Sequence, residues 1–150
     1  MKMTLKILIF GILLLMFNSC VKDDSILKPQ SSSINKIMPL GASRVEGDRP
    51  VYESFRYELW KDLTENSWIF DYIGTQLDEA SYPKVNNLDF DKNHEGNAGW
   101  TSVQILNDIS NWLEKTEPPD IVLYSSPGGN DALENLPYNQ TLSNVKAIVD

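Results

Sequence analysis

Cysteine and histidine are almost missing from this sequence: it has one of each in 150 residues, Cys20 and His94. One cysteine excludes an intramolecular disulfide, and one histidine leaves nothing from which to build a histidine-rich metal centre. The scattered carboxylates Asp89, Asp91 and Glu95 amount at best to a weak calcium site, so no cofactor is expected. Positive charge is scarce too. Lys and Arg number 13 against 21 Asp and Glu, a formal net charge of −8, which argues against holding a phosphate backbone and hence against a nucleic-acid partner. No apolar run reaches the roughly 20 residues of a membrane-spanning helix. Phosphate-binding patterns are absent, because neither GxGxxG nor GxxxxGK(S/T) follows a strand-like segment. No GxSxG marks a nucleophile elbow either, since Val45 stands two places after Ser43.

What the chain does have begins at its first residues. Lys2 and Lys6 precede the apolar run "ILIFGILLLMF", and Asn18, Ser19 and Cys20 follow. That is the layout of a secretory signal peptide over residues 1–19. "FNSC" resembles a bacterial lipobox, whose cysteine is acylated and becomes the mature N-terminus; Ser19 fits that pattern, while Phe17 and Asn18 depart from it. The competing reading is an ordinary signal peptide with an incidental cysteine. Residues 20–34, with "KPQSSS" near their end, are polar and serine-rich and read as a flexible tether. Together these segments predict an exported bacterial lipoprotein, held through Cys20 to the outer membrane or a periplasmic membrane face. Without residues 1–19 the chain keeps 11 basic and 21 acidic residues, a charge of −10.

Residues 35–150 read as one domain. "NKIMPL" is a strand that ends at Gly41, and residues 50–66 are a helix on which Tyr52, Phe55, Leu59 and Leu63 recur at three- and four-residue spacing. "WIFDYIG" is a second strand. Residues 75–99 show little periodicity and read as a surface excursion, of a length that is often functional. Thr101 caps a helix over 102–116 with Val103, Leu106, Ile109, Trp112 and Leu113 on one face. "PPDIVLYSS" is a third strand, apolar as strands covered on both faces are, followed by a "PGGND" turn and a helix from about Thr141. Trp60, Trp68 and Trp112 are expected in the core. The alternation of strands and helices predicts an α/β fold with a parallel sheet and right-handed crossovers.

Ligands of such sheets bind beyond the C-terminal ends of the strands. Three short glycine-bearing segments fall there: "GAS" after the first strand, "NAGWT" before the second long helix, and "GGND" after the third strand. A serine nucleophile needs exposure, a base, and donors for the oxyanion it creates. Ser43 has the exposure by position. Gly99 offers an unhindered N–H near a helix N-terminus, and Asn130 a side-chain amide. A base is not among them.

These residues carry a resemblance. "MPLGASRVEG" resembles the first sequence block of the SGNH hydrolases, the GDSL esterase/lipase family, whose usual form is near GDSxTxG. "NAGWT" and "SPGGNDAL" resemble the second and third blocks, and "HEGNAGWT" is similar to a stretch of the family's carbohydrate-esterase branch. The resemblance implies a flavodoxin-like three-layer α/β/α sandwich, of which this chain would carry the N-terminal part only. It implies Ser43 as nucleophile and, through its own N–H, oxyanion donor, with the Gly99 N–H and the Asn130 side chain as the other donors. Ala42 replaces the aspartate of the GDS triplet, which is not the triad acid. The family's DxxH block, source of the orienting acid and the base, has no match, so the chain is expected to stop before it. His94 lies only a few residues before Gly99 and is read as bonding within the long loop, and Asp131 likewise as a loop-bonding residue. Trp100 either stacks on a sugar or packs in the core; Arg44 and Arg49 either contact an anionic substrate or are solvated. The expected function is a serine esterase that hydrolyses carboxylic esters, O-acetyl groups on carbohydrates foremost, through an acyl-enzyme. The alternative is a non-catalytic glycan-binding lipoprotein or an inactive, truncated remnant. The oligomeric state is not legible.

Overall fold

In the computed structural model the described residues are 35–150; the signal peptide at 1–19, Cys20 and the tether at 20–34 lie outside them. In chain order the elements are β1 (Lys36–Gly41), α1 (Ser43–Glu46), α2 (Phe55–Glu65), β2 (Asp71–Tyr72), β3 (Gln76–Leu77), β4 (Asn93–Gly96), α3 (Ser102–Lys115), β5 (Ile121–Ser125), α4 (Gly129–Leu133) and α5 (Tyr138–Val149).

β1 is buried along its whole length and organises the sheet. β5 runs parallel to it from Ile37↔Ile121 to Gly41↔Ser125. The opposite edge of β1 is divided between two parallel partners: β2 meets Lys36 and Ile37, and β4 meets Leu40 and Gly41. This division explains how a proline sits inside a central strand. The Ile37 carbonyl accepts from Ile73 N–H at 2.9 Å and the Gly41 carbonyl from Asn97 N–H at 3.1 Å, so the odd-numbered residues of β1 face the divided edge. Pro39 falls between them, where β2 has ended and β4 has not begun. The N–H that proline lacks is therefore one the ladder does not need. β3 adds an antiparallel pair outside β4, with Gln76 opposite His94.

Strand alternation sends side chains to two faces. Ile37 and Leu123 enter a cluster with Tyr57, Trp60, Tyr72 and Phe90, under α2. Leu40 and Tyr124 enter a second cluster with Ile105, Ile109, Trp112 and Ile148, under α3 and α5. The expected three-layer α/β/α arrangement with a mostly parallel sheet is what the chain adopts.

Several boundaries differ from expectation, each for a local reason. The strand "WIFDYIG" contracts to Asp71–Tyr72 because β1 offers that edge only at Lys36 and Ile37. Trp68 is consequently 65% exposed and is not a core residue, while Trp60 and Trp112 are. α2 starts at Phe55, where Ser54 caps it by accepting the Arg56 N–H; Tyr52 lies outside the helix, and the buried face carries Arg56, Tyr57 and Trp60. In α3, Ser102, Ile105 and Trp112 are buried and Val103 faces outward. β5 is not covered on all sides: Ile121 and Val122 are each 46% exposed, since no further strand lies beyond β5 among the described residues. The "PGGND" turn contains α4, and α5 begins at Tyr138. The 75–99 excursion holds β3 and β4, short strands with no apolar pattern to announce them. Among the described residues no helix is long and apolar enough to cross a membrane.

Candidate active site

Ser43 is placed by a sharp exit from β1. Gly41 has φ +154°, and a Cβ there would lie 2.8 Å from both the Ser125 carbonyl oxygen and Val45 Cγ2, so the strand end and the first turn touch across hydrogen only. Ala42 then opens α1, its carbonyl accepting from the N–H groups of Val45 at 2.9 Å and Glu46 at 3.1 Å. As first residue of the helix, Ser43 has an N–H with no intrahelical partner. Its side chain is half-buried and makes no hydrogen bond among the described residues. With Ser125 it lines an open groove of about 810 Å3 that runs along the start of α2.

The far end of α1 is clamped by Arg56. This side chain is fully buried and donates from Nε to the Val45 carbonyl at 2.6 Å and from Nη2 to the Glu46 carbonyl at 2.8 Å. Nη1 reaches the Lys92 carbonyl at 3.3 Å, and Nη2 also meets Asp78 Oδ2 at 2.7 Å. Burial lowers the guanidinium pKa and Asp78 works against that shift. For Asp78, burial would raise the pKa, but donors from Tyr82 and the Ala80 N–H together with the Arg56 charge hold it below the ordinary carboxylate value.

The three glycine-bearing segments are tied to one another. The Glu46 carboxylate accepts the Ala98 N–H, which links α1 to the turn carrying Gly99. That turn is anchored to the sheet by Asn97 N–H on the Gly41 carbonyl and closed by Trp100 N–H on the Asn97 carbonyl at 3.2 Å. Gly99 is exposed with φ +78°, and a Cβ there would meet open space; the backbone conformation alone requires glycine. The second link is the Asn130 amide, which donates to the Trp100 carbonyl at 2.7 Å. An amide nitrogen carries two hydrogens, so one of them stays available.

Next to it, Asp131 accepts from Ser102 N–H at 2.7 Å and Ser102 Oγ at 2.5 Å, capping α3 from a different element. Thr141 Oγ1 donates to it at 3.2 Å. Burial would raise the Asp131 pKa, and these donors together hold it below the ordinary value. Asp131 is thus a loop-bonding residue, as expected.

His94 is buried inside the fold and occupied there: its Nδ1 accepts the Gly96 N–H at 2.9 Å. Burial first, and the Arg56 charge second, push its pKa down to about 4, so the ring is neutral near pH 7. The carboxylates once grouped as a weak calcium site have separate partners: Asp89 meets Lys84 at 2.8 Å, Asp91 accepts from Tyr72 N–H at 2.7 Å, and Glu95 accepts from Thr75 N–H and Oγ1. Trp100 stacks on Trp112 with ring centroids 5.6 Å apart, which favours the packing alternative. Arg49 pairs with Glu53 at 3.1 Å and donates to the Ser81 carbonyl, whereas Arg44 is exposed on the groove wall. Sequence reasoning missed Arg56, Asp78 and Glu46. Arg56 did leave a signal, since it stands four residues before Trp60 on the buried face of α2; the other two left none.

No protein-family model matches the chain, and no curated protein matches it. Solved structures do. A family 3 carbohydrate esterase from Clostridium thermocellum is 38% identical with a TM-score of 0.59, over 76% of this chain and 54% of that one. A family 3 carbohydrate esterase from Talaromyces cellulolyticus is 27% identical with a TM-score of 0.64. A serine-to-alanine mutant of an acetyl esterase with acetate ion is 26% identical with a TM-score of 0.62; both of these alignments cover 77% of this chain and 54% of the other. The chain spans about half the length of each of these esterases. In backbone as in motif, then, it is similar to the family 3 carbohydrate esterases, the branch of the SGNH hydrolases that its sequence resembles.

Proposed function

We propose that the chain carries the nucleophile and oxyanion loops of a serine esterase acting on carboxylic esters, with O-acetyl groups on carbohydrate as the substrate. Ser43 Oγ attacks the ester carbonyl, and the oxyanion is held by the N–H groups of Ser43 and Gly99 and by the remaining amide hydrogen of Asn130. Collapse breaks the ester C–O bond, the alcohol leaves with a proton, and water then cleaves the acyl-serine to release the acid. Each such donor is worth on the order of 10²–10³ in kcat. The observation that carries this reading is the pair of bonds, Glu46 to Ala98 and Asn130 to Trp100, that join the three segments at one sheet edge. The esterase names of the similar structures support it. No residue of this sequence is assigned as the base, because its single histidine is engaged on Gly96.

The test is hydrolysis of an aryl acetate by wild type and Ser43→Ala. Loss of turnover in the variant is expected; equal rates would remove Ser43 from the mechanism. The engagement of His94 favours one second reading, a site that binds glycan without turnover, and glycan binding with no hydrolysis by wild type would establish it. We also propose that Cys20 is lipidated. Cys20→Ser should then move the protein from the membrane fraction to the soluble one, and unchanged fractionation would sink that assignment.

A further inference from the structure

We propose that the exposed surface around Trp68, at the end of the sheet where the tether enters, rests on the membrane and holds the Ser43 end away from it. The inference rests on the reading of the N-terminal residues as a membrane anchor lipidated at Cys20. Asn35 begins the described residues, and its side-chain amide donates to the Ile69 carbonyl at 2.7 Å, so the chain arrives beside Trp68. β1, β2 and β5 all start at this end, with Lys36 opposite Asp71 and Ile37 opposite Ile121. Ser43, Gly99 and Asn130 follow the other ends of β1, β4 and β5. The length of β1, six residues, puts about 20 Å between the two ends. Read as a tether, the 14 residues between Cys20 and Asn35 span about 20 Å as a coil. A lipid at Cys20 thus keeps the Trp68 end near the bilayer, where even a weak contact is populated.

The patch has the chemistry of an interfacial contact. Trp68, Ile69 and Leu88 are all exposed, and the three line one open concavity of about 510 Å3. Exposed apolar side chains gathered in one place mark an interaction surface, and tryptophan, an apolar ring with one N–H, suits the boundary between lipid and water. Its backbone is fixed. At the end of α2 the Trp68 N–H donates to the Leu63 carbonyl at 3.0 Å and the Ser67 N–H to the Thr64 carbonyl at 3.1 Å. With Ser67 at φ +60° these bonds form a Schellman motif, so the ring is presented without the cost of ordering a loop. The charges nearby decide the kind of lipid. Asp89 and Asp91 line the concavity, and among the described residues no lysine or arginine does. Anionic headgroups gain nothing there, so the partner is zwitterionic lipid. Both carboxylates are already engaged, Asp89 by Lys84 at 2.8 Å and Asp91 by the Tyr72 N–H at 2.7 Å. That leaves few acceptors for sugar hydroxyls, and it favours lipid over glycan.

The full chain is reconstituted with phosphatidylcholine vesicles, plain or brominated in the acyl chains, and flotation and tryptophan emission are both measured. Bromolipid should quench the wild-type emission, Trp68→Phe should lose most of that quenching, and the double variant Ile69→Ser, Leu88→Ser, at exposed positions, should reduce it. Adding phosphatidylglycerol should not increase it. Undiminished quenching in Trp68→Phe would put another tryptophan, and another end of the molecule, against the lipid. A floating wild type without quenching would put the patch in water. Either result overturns the proposal, as would undiminished quenching in the double variant or stronger quenching with phosphatidylglycerol. A Trp68 emission change with soluble xylan in place of bromolipid would assign the patch to a glycan and also overturn it. Cys20→Ser separates the patch from the lipid. Flotation and Trp68 quenching both retained in that variant would sink the lipidation of Cys20 alone, and a wild type that does not float would sink both.

Discussion

Arg56 shows how much of the site depends on a single buried side chain. A guanidinium with no exposure needs its charge matched and its donors used, and Asp78 with the carbonyls of Val45, Glu46 and Lys92 does both. Replacing Asp78 by Asn leaves the cation without its counter-ion, and urea unfolding should show a loss of about 3 kcal/mol. His94 makes a prediction of a different kind. Its imidazole titrates near 6.5 when unfolded and at about 4 when folded, so between those values the unfolded chain binds the extra proton. Stability is full above pH 6.5 and falls as pH falls through that window, by roughly 3 kcal/mol in all. His94→Asn keeps an acceptor for the Gly96 N–H and does not titrate. Its stability profile should be flatter than wild type between pH 6.5 and 4, and an unchanged slope would show that another group is responsible.

At the level of elements, α1 is four residues long and could not persist by itself. It is held at one end by the strand it leaves and at the other by Arg56, and its Glu46 in turn holds the Gly99 turn. Glu46→Ala should therefore lower kcat on an aryl acetate about tenfold or more with little change in KM, and Glu46→Gln, still an acceptor for Ala98 N–H, should recover most of the rate. α3 depends similarly on a residue outside itself. Asp131→Ala strands the Ser102 N–H in a buried place, at a cost of about 1–3 kcal/mol by thermal or urea unfolding. These ties mark the boundary of what the sequence could reveal. β1, α2, α3 and the three glycine-bearing segments were legible because period and turn chemistry are local signals. β4 was not: "NHEG" carries no apolar alternation, and it is a strand because Gly96 allows it to lie against Glu46, where a Cβ would come within 2.4 Å of the backbone. Trp68 misled for the complementary reason, since an aromatic in a β-like string is buried only if a partner edge exists beside it. The functions of Arg56 and Glu46 rest on contacts across 10 to 52 positions, which no local pattern encodes.

For the whole molecule, the exposed side of β5 is the feature with most consequence in solution. Ile121 and Val122 stand open on the last strand of the described sheet, and an unpaired apolar edge recruits further strands. Sedimentation of this chain should show concentration-dependent self-association, reduced by Val122→Lys; a monomer at all concentrations would contradict this. The opposite edge has its own consequence. Because Pro39 interrupts the backbone ladder between β2 and β4, side chains carry that edge from one end to the other: Tyr72 N–H donates to Asp91 at 2.7 Å, the Asn93 amide to the Gly74 carbonyl at 3.1 Å, and Thr75 to Glu95. The Ile73 and Asn97 ends are therefore fastened together, and amide-deuterium exchange should show their amides opening as one cooperative unit; separate opening would contradict this. The glycine-bearing turns are in this way braced against the Tyr57, Trp60 and Phe90 half of the core, so loosening that aromatic cluster would loosen the loops around Ser43 as well.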